Sequence, residues 1–180
     1  WIMKDDALPP LVKITDPRLA SILGCTLMTK RSNAENTGAG ANLDALVIEP
    51  YANPFRVYPL VEDYEKFKAL FDKDVDCYII NTGDFLGKKV TKEVSLGVIE
   101  TVVDGKANFE LFGGLPGMEY LPVKGYEVPE MSGDYAELIR DRMQFRLDYL
   151  KAFNDANPEH QIPQDALESI KTIERFIDVL

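Results

Sequence analysis

Residues 76–103 read DCYIINTGDFLGKKVTKEVSLGVIETVV, and the fold depends on how this stretch divides. The apolar run 77–80 reads as a strand. It meets a polar turn, Asn81-Thr82-Gly83-Asp84, and then Gly87-Lys88-Lys89. A long apolar-faced segment begins near residue 91. Thr91 suits a helix cap, and Glu93 in the first turn complements the helix dipole. The β-branched residues Val94, Val98, Ile99, Val102 and Val103 would also suit a strand. Helix is preferred, because Val94, Val98 and Val102 fall on one face and Gly105 ends the run. Strand, glycine-bearing loop and helix together gather backbone N–H groups and a helix dipole at one spot, which suits an anion.

Upstream, residues 61–73 give the clearest helix. Val61, Tyr64, Phe67, Leu70 and Phe71 recur at helical spacing, and Glu62 can pair with Lys66. Residues 43–48 (LDALVI) read as a buried strand, closed by Pro50, Asn53 and Pro54. The order strand, helix, strand, loop, helix describes a crossover α/β unit. Residues 26–42 are polar and irregular and read as a long loop whose Gly-Ala-Gly piece lacks the context of a dinucleotide fingerprint. Before it, Asp16 and Pro17 start a short helix with Leu19, Ile22 and Leu23 on its face and Gly24 as its stop. Residues 7–14 (ALPPLVKI) read as an extended or edge segment, because proline removes a backbone donor.

Downstream, residues 108–112 read as a short strand, and 118–133 as an irregular connector punctuated by proline and glycine. Two helices close the chain. Ala136, Ile139, Met143, Leu147 and Leu150 make one apolar face. Leu167, Ile170, Ile173, Phe176 and Ile177 make another, started by Pro163. The expected organisation is an α/β lobe over 1–117, the connector over 118–133 and a helical pair over 134–180. The fold class is α/β, with α+β as the alternative: a mixed sheet with crossover helices and a C-terminal helical hairpin.

The 180 residues carry a net charge of -10. An acidic chain is a poor partner for nucleic acid or an anionic membrane, since both attract basic surfaces. Two cysteines make no disulfide framework; buried, reduced thiols point to a cytoplasmic setting. No apolar run reaches the ~20 residues of a membrane span. The chain opens on Trp1-Ile2-Met3, which reads as a cut inside a larger protein.

Candidate chemistry is sparse. The segment from Gly83 to Lys89 has three residues between its glycines where a P-loop needs four. Lys89 also stands where that motif needs Ser or Thr. Asp5-Asp6 beside Lys4 is a candidate metal-ligand pair set against the commoner reading of a surface doublet. His160, the one histidine, lies in a polar linker, where a surface position outweighs catalysis. Lys30 and Arg31 are anion-contact candidates, with Arg18 and Arg56 as further loop or helix-end cations.

One resemblance brings these pieces together. The run Leu8-Pro9-Pro10-Leu11-Val12-Lys13-Ile14-Thr15, the turn Gly24-Cys25-Thr26, the strand end Tyr78-Ile79-Ile80-Asn81-Thr82-Gly83 and the run Gly87-Lys88-Lys89-Val90 occur in this order. Over residues 5–104 the chain resembles the C-terminal part of the ATP-dependent phosphoenolpyruvate carboxykinases, through a bacterial carboxykinase-like family longer than this chain. The resemblance implies a nucleotide-binding lobe whose adenine and ribose wall is formed here. Lys89 takes the place of an arginine that packs on the nucleotide, and Ser95 that of a threonine bonded to the base. Val90 presents backbone to the base, and Thr82, Gly83, Gly87 and Lys88 shape the loop. The loop is shorter than the family's, and lysine lacks the planar fork of arginine. The implied cofactor is ATP or another purine nucleotide with a divalent metal. The family's phosphate loop, metal ligands and substrate arginine would lie upstream, so the remainder of a parent chain is the expected partner and this chain alone is expected to be inactive. The alternative is a non-catalytic carboxykinase-like binding or structural module.

Overall fold

The computed structural model describes residues 1–30 and 45–180. Its centre is a mixed five-stranded sheet built from β1 (Ile2–Met3), β2 (Leu11–Ile14), β5 (Cys77–Asn81), β8 (Glu110–Leu111) and β9 (Met118–Tyr120), in the order β1-β5-β2-β9-β8. Only β1 runs parallel to its neighbour β5; the β2–β5, β2–β9 and β8–β9 pairs are antiparallel. β2 therefore lies in the middle of the sheet, not at its edge. Pro9 and Pro10 precede the strand, so its own amides remain free to pair.

Alternation along the strands gives the sheet two apolar faces. Val12, Ile14, Cys77, Ile79 and Met118 point into the main core. There they meet α1 (Pro17–Cys25), α4 (Gly133–Ala156) and α5 (Gln164–Ile177), which contribute Ile22, Leu23, Ile139, Met143, Leu147, Ile170 and Ile173. Leu11, Tyr78 and Ile80 point the other way, against Val98 and Val102 of α3 (Lys92–Val103) and against Phe109. The faces read from sequence for α1, α4 and α5 are the buried ones, apart from Phe176, which is partly buried. In α2 (Leu60–Phe71) Tyr64 is buried while Leu70 is exposed, and the Glu62–Lys66 pair forms at 3.4 Å.

Several further expectations change. The segment expected as a buried core strand supplies β4 (Leu46–Ile48), which is half-buried and pairs with β3 (Met28–Lys30) in a separate antiparallel ribbon. The strands flanking α2 thus lie in different sheets and do not form a crossover unit. Lys30 ends β3, in the stretch read as a loop, while Arg31 and the Gly-Ala-Gly piece lie outside the described residues. Met118–Tyr120, expected within an irregular connector, is β9, bonded to β2 and β8. Gly24 does not stop α1. It lies inside the helix, where a Cβ would come within 2.4 Å of the Tyr51 ring and 2.8 Å of the Trp1 indole. Its role is to let two aromatic rings approach the helix.

Among the described residues no helix is long and apolar enough to cross a membrane. Cys25 and Cys77 are both free and buried.

Candidate functional site

The end of β5 organises everything around it. Asn81 is fully buried, and its Nδ2 donates to the carbonyls of Asp5 at 2.8 Å, Leu8 at 2.6 Å and Asp84 at 3.0 Å. Its Oδ1 accepts from the Gly83 amide at 2.9 Å. One side chain thereby joins the 5–8 turn to the loop that leaves the sheet. Gly83 fits a crowded position: a Cβ there would lie 3.1 Å from Cβ and 3.2 Å from Cα of Lys4, so a side chain would require Lys4 to give by a few tenths of an ångström.

The glycine-bearing loop is a small β-hairpin, with β6 (Asp84–Phe85) paired to β7 (Lys88–Lys89). Leu86 and Gly87 form its turn, both at positive φ (47° and 78°), as a two-residue hairpin loop of matching twist requires. Phe85 and Val90 are buried and pin the hairpin to the core. The Val90 amide donates to the Gly83 carbonyl at 2.9 Å, closing the base. Thr91 then caps α3, its Oγ1 accepting from the Val94 amide at 3.4 Å.

All seven residues expected at a nucleotide wall lie on this hairpin–helix unit. Lys89 is exposed, and its Nζ donates to the Thr82 carbonyl at 3.4 Å. Lys88 is exposed as well. Its Nζ lies 4.6 Å from the Tyr126 ring centroid and donates to the Gly125 carbonyl, so this ammonium already has partners. Ser95 is half-buried, and its Oγ lies 3.2 Å from the Thr91 carbonyl. A carbonyl can only accept, so the serine donates there and keeps its lone pairs free. Gly87 stands at the open tip, where a Cβ would meet nothing within 4 Å.

On the other side of Asp84 lies a cleft of about 260 Å³ lined by Lys4, Asp5, Asp6, Lys30, Leu46, Asp84 and Arg142. The Asp5-Asp6 doublet, a candidate metal-ligand pair from sequence, is occupied otherwise. Asp5 Oδ2 is 2.9 Å from Arg146 Nη2, and Asp6 Oδ1 is 2.7 Å from Arg142 Nη2. Asp5 Oδ1 also accepts from the Ala7 amide at 3.1 Å. Among the described residues no group of three or more His, Cys, Asp or Glu side chains could hold a metal ion. Burial lowers the pKa of the Arg146 guanidinium, and Asp5 opposes that shift. Arginine nevertheless stays charged in a protein interior, so this is a buried ion pair.

Sequence reasoning missed Arg146, a fully buried residue on α4. One signal was available: Arg142 and Arg146 stand four residues apart beside an apolar helical face, matching an acidic doublet elsewhere in the chain. The remaining candidate groups are ordinary. Arg56 is paired with Asp63 at 3.0 Å, Arg18 with Asp16 at 2.9 Å, and His160 is exposed.

No protein-family model matches the chain, and no curated protein matches it.

Proposed function

We propose that the hairpin–helix unit over residues 82–95 is the base and ribose wall of a purine-nucleotide site. The chain would be the C-terminal part of a carboxykinase-like protein and inactive alone. The observation that supports this reading is the coupling of the seven residues in one pinned unit. Lys89 Nζ bonds the Thr82 carbonyl, Val90 is fastened to Gly83, and Ser95 is oriented by Thr91. In this arrangement the exposed Lys89 ammonium would lie over the face of a base, a cation–π contact of about 0.5–1 kcal/mol at an exposed site. Ser95, already donating to the backbone, would accept from an amino group of the base.

The divalent metal of such a site does not fit here. Asp5 and Asp6 are held by guanidinium groups, and the described residues offer no three-ligand cluster. Metal and phosphate contacts belong, in this reading, to the rest of the parent protein.

The test is a titration of ATP into the chain, followed by backbone amide shifts. Saturable shifts confined to residues 83–95, weakened about 2–5-fold by Lys89→Ala, are expected. Unchanged affinity in Lys89→Ala, or saturable shifts that lie outside residues 83–95, overturns the reading; silence up to millimolar ATP overturns an independent site on this chain.

A further inference from the structure

We infer that the cleft between the 4–6 segment, Lys30, Asp84 and Arg142 binds a small oxyanion that also carries a hydroxyl group: a phosphate monoester or a hydroxy acid. Its charge favours such a ligand. Lys4, Lys30 and Arg142 line the cleft together with Asp5, Asp6 and Asp84, and the fully buried Arg146, outside the lining, pairs with Asp5, which leaves three lining cations against two carboxylates. The protein as a whole is at -10, so a locally positive cleft stands out against its surroundings.

Most of those charges are already committed. Asp5 and Asp6 are held by Arg146 and Arg142. Among the described residues, the Asp84 carboxylate has one long ion-pair contact, to Lys30 at 3.6 Å. Lys4 is half-buried and forms no ion pair among the described residues. Lys4 lines the cleft, which makes its ammonium a donor within reach of a ligand there. An oxyanion would answer Lys4 and Lys30, and its hydroxyl would donate to Asp84.

The cleft floor is preorganised and does not need to form on binding. Asn81 ties together the backbone of Asp5, Leu8 and Asp84, and the Leu86 amide donates to the Asp6 carbonyl at 3.0 Å. Gly83 lets the loop sit directly on Lys4. Rigid floors lower the ordering cost of binding. Size sets the last limit: about 260 Å³ falls below the ~300–1,000 Å³ of sites for drug-sized ligands, so a whole nucleotide is too large.

The cleft stands apart from the nucleotide wall, because Lys89 and Ser95 do not line it. The experiment titrates glycerol 3-phosphate and, separately, glycerate into the chain at constant ionic strength while following amide shifts. Saturable shifts at Lys4, Asp6 and Asp84 with either probe are expected. They should weaken about tenfold in Lys4→Met and in Lys30→Met and persist in Lys89→Ala. The phosphate and carboxylate arms distinguish the two ligand sources. Two lysine variants are used so that misfolding of one leaves the other to decide. Absence of saturable shifts with both probes, or shifts that survive both lysine substitutions, overturns the inference.

Discussion

Replacing Asp5 with alanine strands a guanidinium inside the protein. The Asp5 and Arg146 side chains are 1% and 0% exposed, and their charged atoms lie 2.9 Å apart. At that separation and an effective dielectric of about 20 the gross attraction is about 6 kcal/mol. Desolvation of both ions cancels most of it, so the pair adds little net stability. Removing one partner is different, because the other keeps its desolvation cost without its counter-ion, a loss of about 3–5 kcal/mol. Asp5→Ala also takes the acceptor from the Ala7 amide, about 1 kcal/mol more. The expected loss is therefore about 4–6 kcal/mol. That is a large share of the ~5–15 kcal/mol that holds a typical domain folded. Arg146→Met should cost less. Asp5 would keep Arg142 at 3.5 Å and the Ala7 amide, and Arg146 Nε already lacks a partner. The double variant should be more stable than Asp5→Ala alone. Urea unfolding of the four proteins, extrapolated linearly to water, gives the cycle. Two results would refute the reasoning: an Asp5→Ala loss below about 1 kcal/mol, or a double variant showing the full sum of the single losses.

Two further outcomes follow from the local chemistry. Burial works to raise the Asp16 pKa, but hydrogen bonds from Arg18 and the Leu19 amide overcome it and leave the carboxyl below its ordinary value. Its capping contribution is thus present above the unfolded-state pKa and is lost as pH falls through the lower folded-state value. Asp16→Ala should cost about 1 kcal/mol at neutral pH, and the gap to the parent protein should close on acidification; a pH-independent gap in urea melts would contradict this. Burial pushes the Cys25 thiol up to about 12 and the Cys77 thiol up to about 11. Iodoacetamide at mildly alkaline pH should label neither cysteine in the native protein and both after unfolding. Rapid native labelling, read by mass spectrometry, would show that the burial is wrong.

What was legible in the sequence was what short-range chemistry decides. Asp16-Pro17 and Thr91 announce their helices because cap and amide are two or three residues apart. The apolar faces of α4 and α5 follow from spacing alone. The hairpin–helix unit was visible as a loop between strand and helix, although its pairing across Leu86-Gly87 was not. Long-range choices were hidden. Nothing within residues 46–48 says that they pair with Met28–Lys30 and not with Cys77–Asn81. The prolines before β2 suggested an edge, yet its neighbours β5 and β9 come from far along the chain. Arg146 went unremarked because the carboxylate that permits its burial is 141 positions away. The proposed cleft is assembled from the same kind of distant pieces, residues 4–6, 30, 84 and 142, and no local motif marks it.

Asn81 has a kinetic consequence. Two of the three carbonyls it binds lie 76 and 73 residues earlier in the chain. Those bonds close a loop of that length, whose entropy must be spent before the amide gains anything. The 5–8 turn and the hairpin base are therefore expected to lock together only once β5 has docked beside β1 and β2. Hydrogen exchange at the Gly83 and Leu86 amides should then report opening of the sheet edge, not of the hairpin alone. A destabilised β1 would blur the cleft and the lysine-bearing hairpin in a single step, so the shape of both surfaces is tied to the integrity of a two-residue strand at the start of the chain.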